Sequence, residues 1–187
     1  LRGLVGVDVE VRALTKTIHS GMWGGPIPDP AMALSRMLSQ LVDDNGKIQI
    51  PGIRDQVPPL QDWEKNEFEK LPFVESAFRK QAGMVESATL LREGPSPLAQ
   101  LWRYPSLNIN AIQASSREQA NNIINDSAWA RVTIRVSPGM DSEKVCRELE
   151  DHFSEATPWG LETLITREAC ASPWSTDPTD PRLKPAF

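Results

Sequence analysis

The sequence predicts an α+β domain of ferredoxin-like type: a four-stranded antiparallel sheet with two helices on one face, plus a mostly helical insertion. Three observations carry that expectation. Residues 5–13 and 128–136 alternate apolar and polar side chains with a period of two, the mark of half-buried strands. Two stretches of helical spacing open on recognisable N-caps. The elements follow the order strand, helix, insertion, strand, strand, helix, strand, which short right-handed connections close into one sheet.

Taken in order, Val5, Val7, Val9, Val11 and Ala13 share one face of the first strand, with Asp8, Glu10 and Arg12 on the other. The strand is expected to run on through Thr15 and Thr17 to His19 and to break at Gly21 and Gly24-Gly25. Asp29 reads as an N-cap and Pro30 as the first helical residue. Ala31, Leu34, Leu38, Leu41 and Val42 follow at helical spacing until Asp44-Asn45-Gly46 stops the helix. Residues 51–101 form the insertion, whose apolar content is too thin to fold alone. Asp62 to Phe68 reads as one helix, Phe73 to Gln81 as a shorter one, and Gly94-Pro95-Ser96-Pro97 as a turn-rich exit. Leu107, Ile109 and Ala111 mark the second strand. Ala128, Ala130, Val132, Ile134 and Val136 mark the third, with Trp129, Arg131, Thr133 and Arg135 opposite. Pro138-Gly139 ends it, and Asp141 or Ser142 caps a helix carrying Val145, Leu149, Phe153 and Ala156 on one side. Leu161 to Thr166 gives the last strand. The domain is expected to span 1–171, and 172–187, with Pro173, Pro178, Pro181 and Pro185, reads as a linker.

The composition of the 187 residues narrows function. Hydrophobic residues at 40% and charged residues at 24% fit a folded domain with a real core. Lys plus Arg number 20 against 25 Asp plus Glu, a net charge of −5 that opposes nucleic-acid and anionic-membrane roles, both of which need a basic footprint. No run reaches the roughly 18 to 20 apolar residues of a membrane span, and a cytoplasmic setting is expected. Cys146 and Cys170 cannot build a disulfide framework or a cysteine zinc site. His19 and His152 are too few and too far apart for a self-contained metal centre. A first residue of Leu in place of Met suggests an excised piece, with N-terminal processing as the alternative.

His19-Ser20-Gly21-Met22-Trp23-Gly24-Gly25 is the string richest in chemistry. An imidazole leaves a strand end into a turn whose glycines permit close approach. The plainer alternative is a partly buried histidine sharing the phase of the valine face. Adjacent His and Ser do not make a nucleophile and its base, and no nucleophile elbow is visible. His152 reads as structural, Cys146 as a small core residue, and Trp23 as a packing residue that could otherwise line a site.

His19-Ser20-Gly21 with Gly24-Gly25, before a proline-opened helix, resembles the lid or dimerisation domain of the M20 zinc metallopeptidases. Three further strings resemble the carnosinase-like dipeptidase branch of that family. They are Gly46-Lys47-Ile48-Gln49-Ile50-Pro51-Gly52, Trp102-Arg103-Tyr104-Pro105-Ser106-Leu107 and Thr133-Ile134-Arg135-Val136-Ser137-Pro138. Leu1-Arg2-Gly3-Leu4 is similar to the family's crossing from catalytic domain into lid. Together the strings cover nearly the whole chain in order.

The resemblance implies a two-domain enzyme with the lid inserted in the catalytic domain's sequence, acting on a dipeptide or an N-acyl amino acid. It implies two Zn ions in that catalytic domain, which would polarise the scissile carbonyl and activate water, and none in this chain. The chain alone is then expected to be inactive, with 172–187 leading back to the catalytic domain. It also implies a homodimer in which His19 reaches the partner's active site and stabilises the oxyanion. Arg135 would hold the substrate's terminal carboxylate in its guanidinium fork, and Asn122 would contact substrate. Taken alone, Arg135 reads as a solvated charge and Asn122 as a turn residue. Thr17, Asn125 and Ala111 stand where the family commonly has aspartate, proline and glycine. A non-catalytic ferredoxin-like binding or oligomerisation module is the alternative.

Overall fold

The computed structural model describes residues 1–91, 94 and 96–176. Pro95 of the expected turn, and Pro178, Pro181 and Pro185 of the expected linker, lie outside the described residues.

Strand β1, Gly3–Arg12, is followed by the two-residue β2, Ile18–His19, the single-turn α1, Ser20–Trp23, and α2, Pro30–Ser39. The insertion contributes α3, Asp62–Lys70, α4, Glu75–Ala82, and α5, Pro97–Arg103. Then come β3, Ser106–Gln113, β4, Ile123–Ile124, β5, Ser127–Val136, α6, Ser142–Ala156, and β6, Glu162–Ala171. The four long strands pair antiparallel in the order β3-β5-β1-β6, the ferredoxin-like arrangement that the element order predicts.

The two central strands alternate as their sequences require. Val5, Val7, Val9 and Val11 of β1 and Ala128, Ala130, Val132, Ile134 and Val136 of β5 are buried. α2 and α6 cover that face with Ala33, Leu34, Met37 and Leu38 from one helix and Val145, Leu149 and Phe153 from the other. Each helix starts where a carboxylate satisfies backbone N–H groups: Asp29 accepts from Ala31 at 2.8 Å, and Asp141 from Glu143 at 2.9 Å. The opposite face carries Asp8, Glu10, Arg12, Arg131, Thr133 and Arg135.

Local hydrogen bonds shift three boundaries. β1 stops at Arg12 because the N–H groups of Ala13 and Leu14 both turn to the Asp126 carbonyl, at 3.0 and 3.3 Å. His19 therefore does not continue that strand; it pairs in a separate ladder with β4. α2 ends at Ser39 because Asp43 captures the N–H groups of Asn45 and Lys47, at 2.9 and 3.0 Å, and folds the chain into a turn. Leu41 is still buried, but from a bend beyond the helix. Ser96 and Pro97, expected in a turn, instead start α5 as N-cap and first residue, with Ser96 Oγ accepting from Ala99 at 3.1 Å.

α3 and α4 bury no residue fully. α3 is held to α5 by the stacked rings of Phe68 and Trp102, 5.8 Å apart, and by the Glu64–Arg103 ion pair at 2.8 Å.

Candidate functional site

The chain reaches His19 just after leaving the main sheet. His19 stands opposite Ile123, and the next N–H, that of Ser20, donates to the Asn122 carbonyl at 2.9 Å. Thr17 Oγ1 donates to Asp126 Oδ1 at 3.2 Å, while Arg12 Nη1 donates to Asp126 Oδ2 at 3.0 Å. These bonds tie the segment to the end of β1.

His19 then caps α1. Its Nδ1 accepts the Gly21 N–H at 3.1 Å, so the neutral ring keeps its proton on Nε2. The side chain is exposed rather than tucked into the valine phase, because the break at Arg12 resets that phase. The Nε2–H therefore points a donor outward.

Two glycines make this turn possible. A Cβ on Gly21 would stand 2.9 Å from His19 Cε1, and one on Gly24 would stand 2.5 Å from the Ser20 carbonyl oxygen. Beside the ring is an open hollow of about 480 Å³ lined by Leu14, Lys16, Ile18, Trp23 and Ile27. Trp23, expected to pack, is 53% exposed at its rim.

The backbone thus brings His19 and Asn122 together, and the Asn122 side chain is exposed. Arg135 lies elsewhere. Ser127 opens β5 at the His19 end, opposite Arg12, whereas Arg135 stands opposite Leu4 near the other end. The eight residue steps from Ser127 to Arg135 amount to roughly 26 Å of strand. Arg135 also faces Ser106 across β3, and Arg2 donates from Nη1 to that same Ser106 Oγ at 3.2 Å. Arg2 carried no expectation beyond marking the start of the domain. It stands one residue before β1 in the phase of Leu4 and Asp8, which places it on that strand's polar face.

His152 is half-buried on α6, and its Nε2 finds no hydrogen-bond partner among the described residues. Burial pulls its pKa below the ordinary histidine value, against a smaller opposing pull from Glu155. Cys146 and Cys170 are free thiols facing each other between α6 and β6. Burial, then contact with Cys146, pushes Cys170 up to about 12, the wrong direction for a nucleophile.

Among the described residues, no group of three or more His, Cys, Asp or Glu side chains could hold a metal ion. No helix among them is long and apolar enough to cross a membrane.

The model of the M20 peptidase dimerisation domain matches residues 1–161. The chain belongs to this family. The M20 domain described here is 29% identical over 185 residues to the cysteinylglycine-S-conjugate dipeptidase of Corynebacterium striatum, covering 98% of the chain and 39% of that relative. It is 32% identical over 153 residues to a Cys-Gly metallodipeptidase of Saccharomyces cerevisiae, covering 81% of the chain and 31% of the relative. Among solved structures, human carnosine dipeptidase 1 superposes with a TM-score of 0.85 at 27% identity, covering 99% of this chain and 40% of that one. The M20 domain therefore spans about a third to two-fifths of the length of these relatives. The family expected from the His-Ser-Gly string and its companions is borne out.

Proposed function

We propose that this M20 domain is the dimerisation and substrate-covering lid of a zinc-dependent dipeptidase, and that His19 donates to the oxyanion formed in a partner subunit's active site. The observation that carries the proposal is the engagement of Nδ1 by the Gly21 N–H, which leaves an outward Nε2–H on an exposed turn. A donor fixed in that tautomer needs no reorganisation when negative charge develops on the carbonyl oxygen. Arg135 holds the substrate's terminal carboxylate, and Asn122, one backbone step from His19, contacts the substrate.

The separation of these residues supports a homodimer. A dipeptide extends about 7 Å, so one substrate cannot touch His19 and Arg135 of the same copy across the length of β5. Two copies, each lending one end of its sheet, remove the conflict. The dipeptidase activities named for the relatives support a dipeptide or a similar N-acyl amino acid as substrate. This chain's described residues do not fit a metal ion, so we assign two zinc ions to a catalytic domain outside it.

Two experiments test the proposal. In the full protein, His19→Ala should lower turnover by about 10²–10³, with bound metal unchanged; unaltered turnover refutes the oxyanion role. The chain alone should hydrolyse no dipeptide even with added zinc, and activity there would refute its role as a lid.

A further inference from the structure

The arginines of the polar sheet face fall into two groups. Arg131 is neutralised by Asp8 and Glu168, at 2.7 and 2.9 Å, and Arg12 by Glu10 and Asp126, at 2.8 and 3.0 Å. Arg2 and Arg135 have no carboxylate in ion-pair contact among the described residues. They are also neighbours. With Gly3 opposite Val136 and Leu4 opposite Arg135, the register puts Arg2 diagonal to Arg135 on the same face, about 7–8 Å apart at the backbone. The Arg2 side chain crosses β5 to reach Ser106 Oγ, and Ser106 is the β3 residue directly opposite Arg135. Two guanidiniums therefore sit side by side at one end of the sheet. Burial first, and the Arg135 charge second, pull Arg2 below its ordinary pKa, the direction expected of a cation crowded by another with no anion between them.

We infer that Arg2 is the second arm of the carboxylate site, so that its guanidinium and that of Arg135 together grip the substrate's terminal carboxylate. The inference rests on the carboxylate role proposed for Arg135. Ser106 holds the Arg2 fork in place before substrate arrives, and Arg135, exposed and without a side-chain hydrogen bond among the described residues, closes from the other side. A carboxylate has two oxygens and about four acceptor directions, enough for both forks. Two cations around one anion also make the site demand full negative charge, so an amidated substrate should be rejected more strongly than a single arginine would reject it.

The test compares kcat/KM for one dipeptide and its C-terminal amide in the full protein. Arg2→Gln should lower the acid-to-amide ratio about tenfold, acting through KM on the acid and leaving the amide unchanged. Arg135→Gln should lower the same ratio. If Arg135→Gln collapses the ratio and Arg2→Gln does not, Arg2 is no part of the site and the Arg135 assignment stands. If neither changes it, both assignments fall. Equal losses for acid and amide in Arg2→Gln would make Arg2 structural and overturn the inference.

Should Arg2→Gln fail to fold, Ser106→Ala frees the same guanidinium and should lower the ratio about threefold; no change there overturns the inference. Binding is read without turnover by titrating the protein with butyrate, a carboxylate with no amide bond to cleave, and following the arginine Nε–H resonances. Shifts at both Arg2 and Arg135 support the clamp, and a shift at Arg135 alone overturns it.

Discussion

Gly21→Ala isolates the orientation of His19 from its presence. The added Cβ would lie 2.9 Å from His19 Cε1 and 3.2 Å from Nδ1. Carbon atoms prefer about 3.5 Å or more, so the ring must retreat by about 0.6 Å. That displacement carries the Gly21 N–H···Nδ1 bond from 3.1 Å beyond hydrogen-bonding range. The ring is exposed and swings away without moving the backbone, so the fold should lose no more than about 1 kcal/mol, the worth of that one hydrogen bond. What disappears is the constraint on the tautomer, worth about 1 kcal/mol for one hydrogen bond. If that constraint serves the transition state, turnover of the full protein falls roughly fivefold. The assay pairs kinetics with long-range ¹H–¹⁵N correlation spectra of the imidazole: one Nε2–H tautomer in the unaltered protein and a mixture in the variant. A variant that keeps a single Nε2–H tautomer and undiminished turnover would refute the reasoning.

Other expectations follow from packing and titration. Gly24→Ala sets its Cβ against the Ser20 carbonyl, which is backbone and cannot swing aside, so it should cost more stability than Gly21→Ala in a denaturant titration. Phe153, fully buried between α6 and the sheet, should cost about 3–5 kcal/mol on replacement by alanine. A loss under about 1 kcal/mol by urea unfolding would contradict that packing. Because the native state disfavours protonated His152, its stabilising effect is present above the unfolded pKa of about 6.5 and drains away as pH falls through the lower folded value. His152→Gln should therefore shrink the difference in unfolding midpoint between pH 7.5 and pH 5, and an undiminished difference would assign the acid sensitivity to other groups.

The sheet and its helices were legible because each core position answers to a local period. Val5 to Val11 and Ala128 to Val136 alternate, and Asp29-Pro30 and Asp141 announce helices whatever surrounds them. The misjudged boundaries answer to particular hydrogen bonds instead. Nothing in Val11-Arg12-Ala13-Leu14 tells that a carbonyl more than a hundred residues away will take two N–H groups and end the strand. Hydrophobic spacing carried α2 through Leu41 because that residue is buried, and burial without helix has the same signature. Ser96-Pro97 was ambiguous in kind, since the pair opens turns and helices alike.

At the candidate site, the string around His19 was visible as chemistry, but its hydrogen bond to Gly21 was not. The pairing of Arg2 with Arg135 depends on strands brought together from opposite ends of the sequence, and periodicity within either strand is silent about it.

The length of β5 between the two ends of the domain has a consequence for genetics as well as chemistry. If each active centre takes its imidazole from one copy and its guanidinium from the other, two inactive proteins can repair each other. A subunit with His19→Ala still offers an intact Arg135, and a subunit with Arg135→Ala still offers an intact His19. In a mixed pair, one centre receives both defects and the other receives neither. Random reassortment of equal amounts should therefore restore about a quarter of the normal centres.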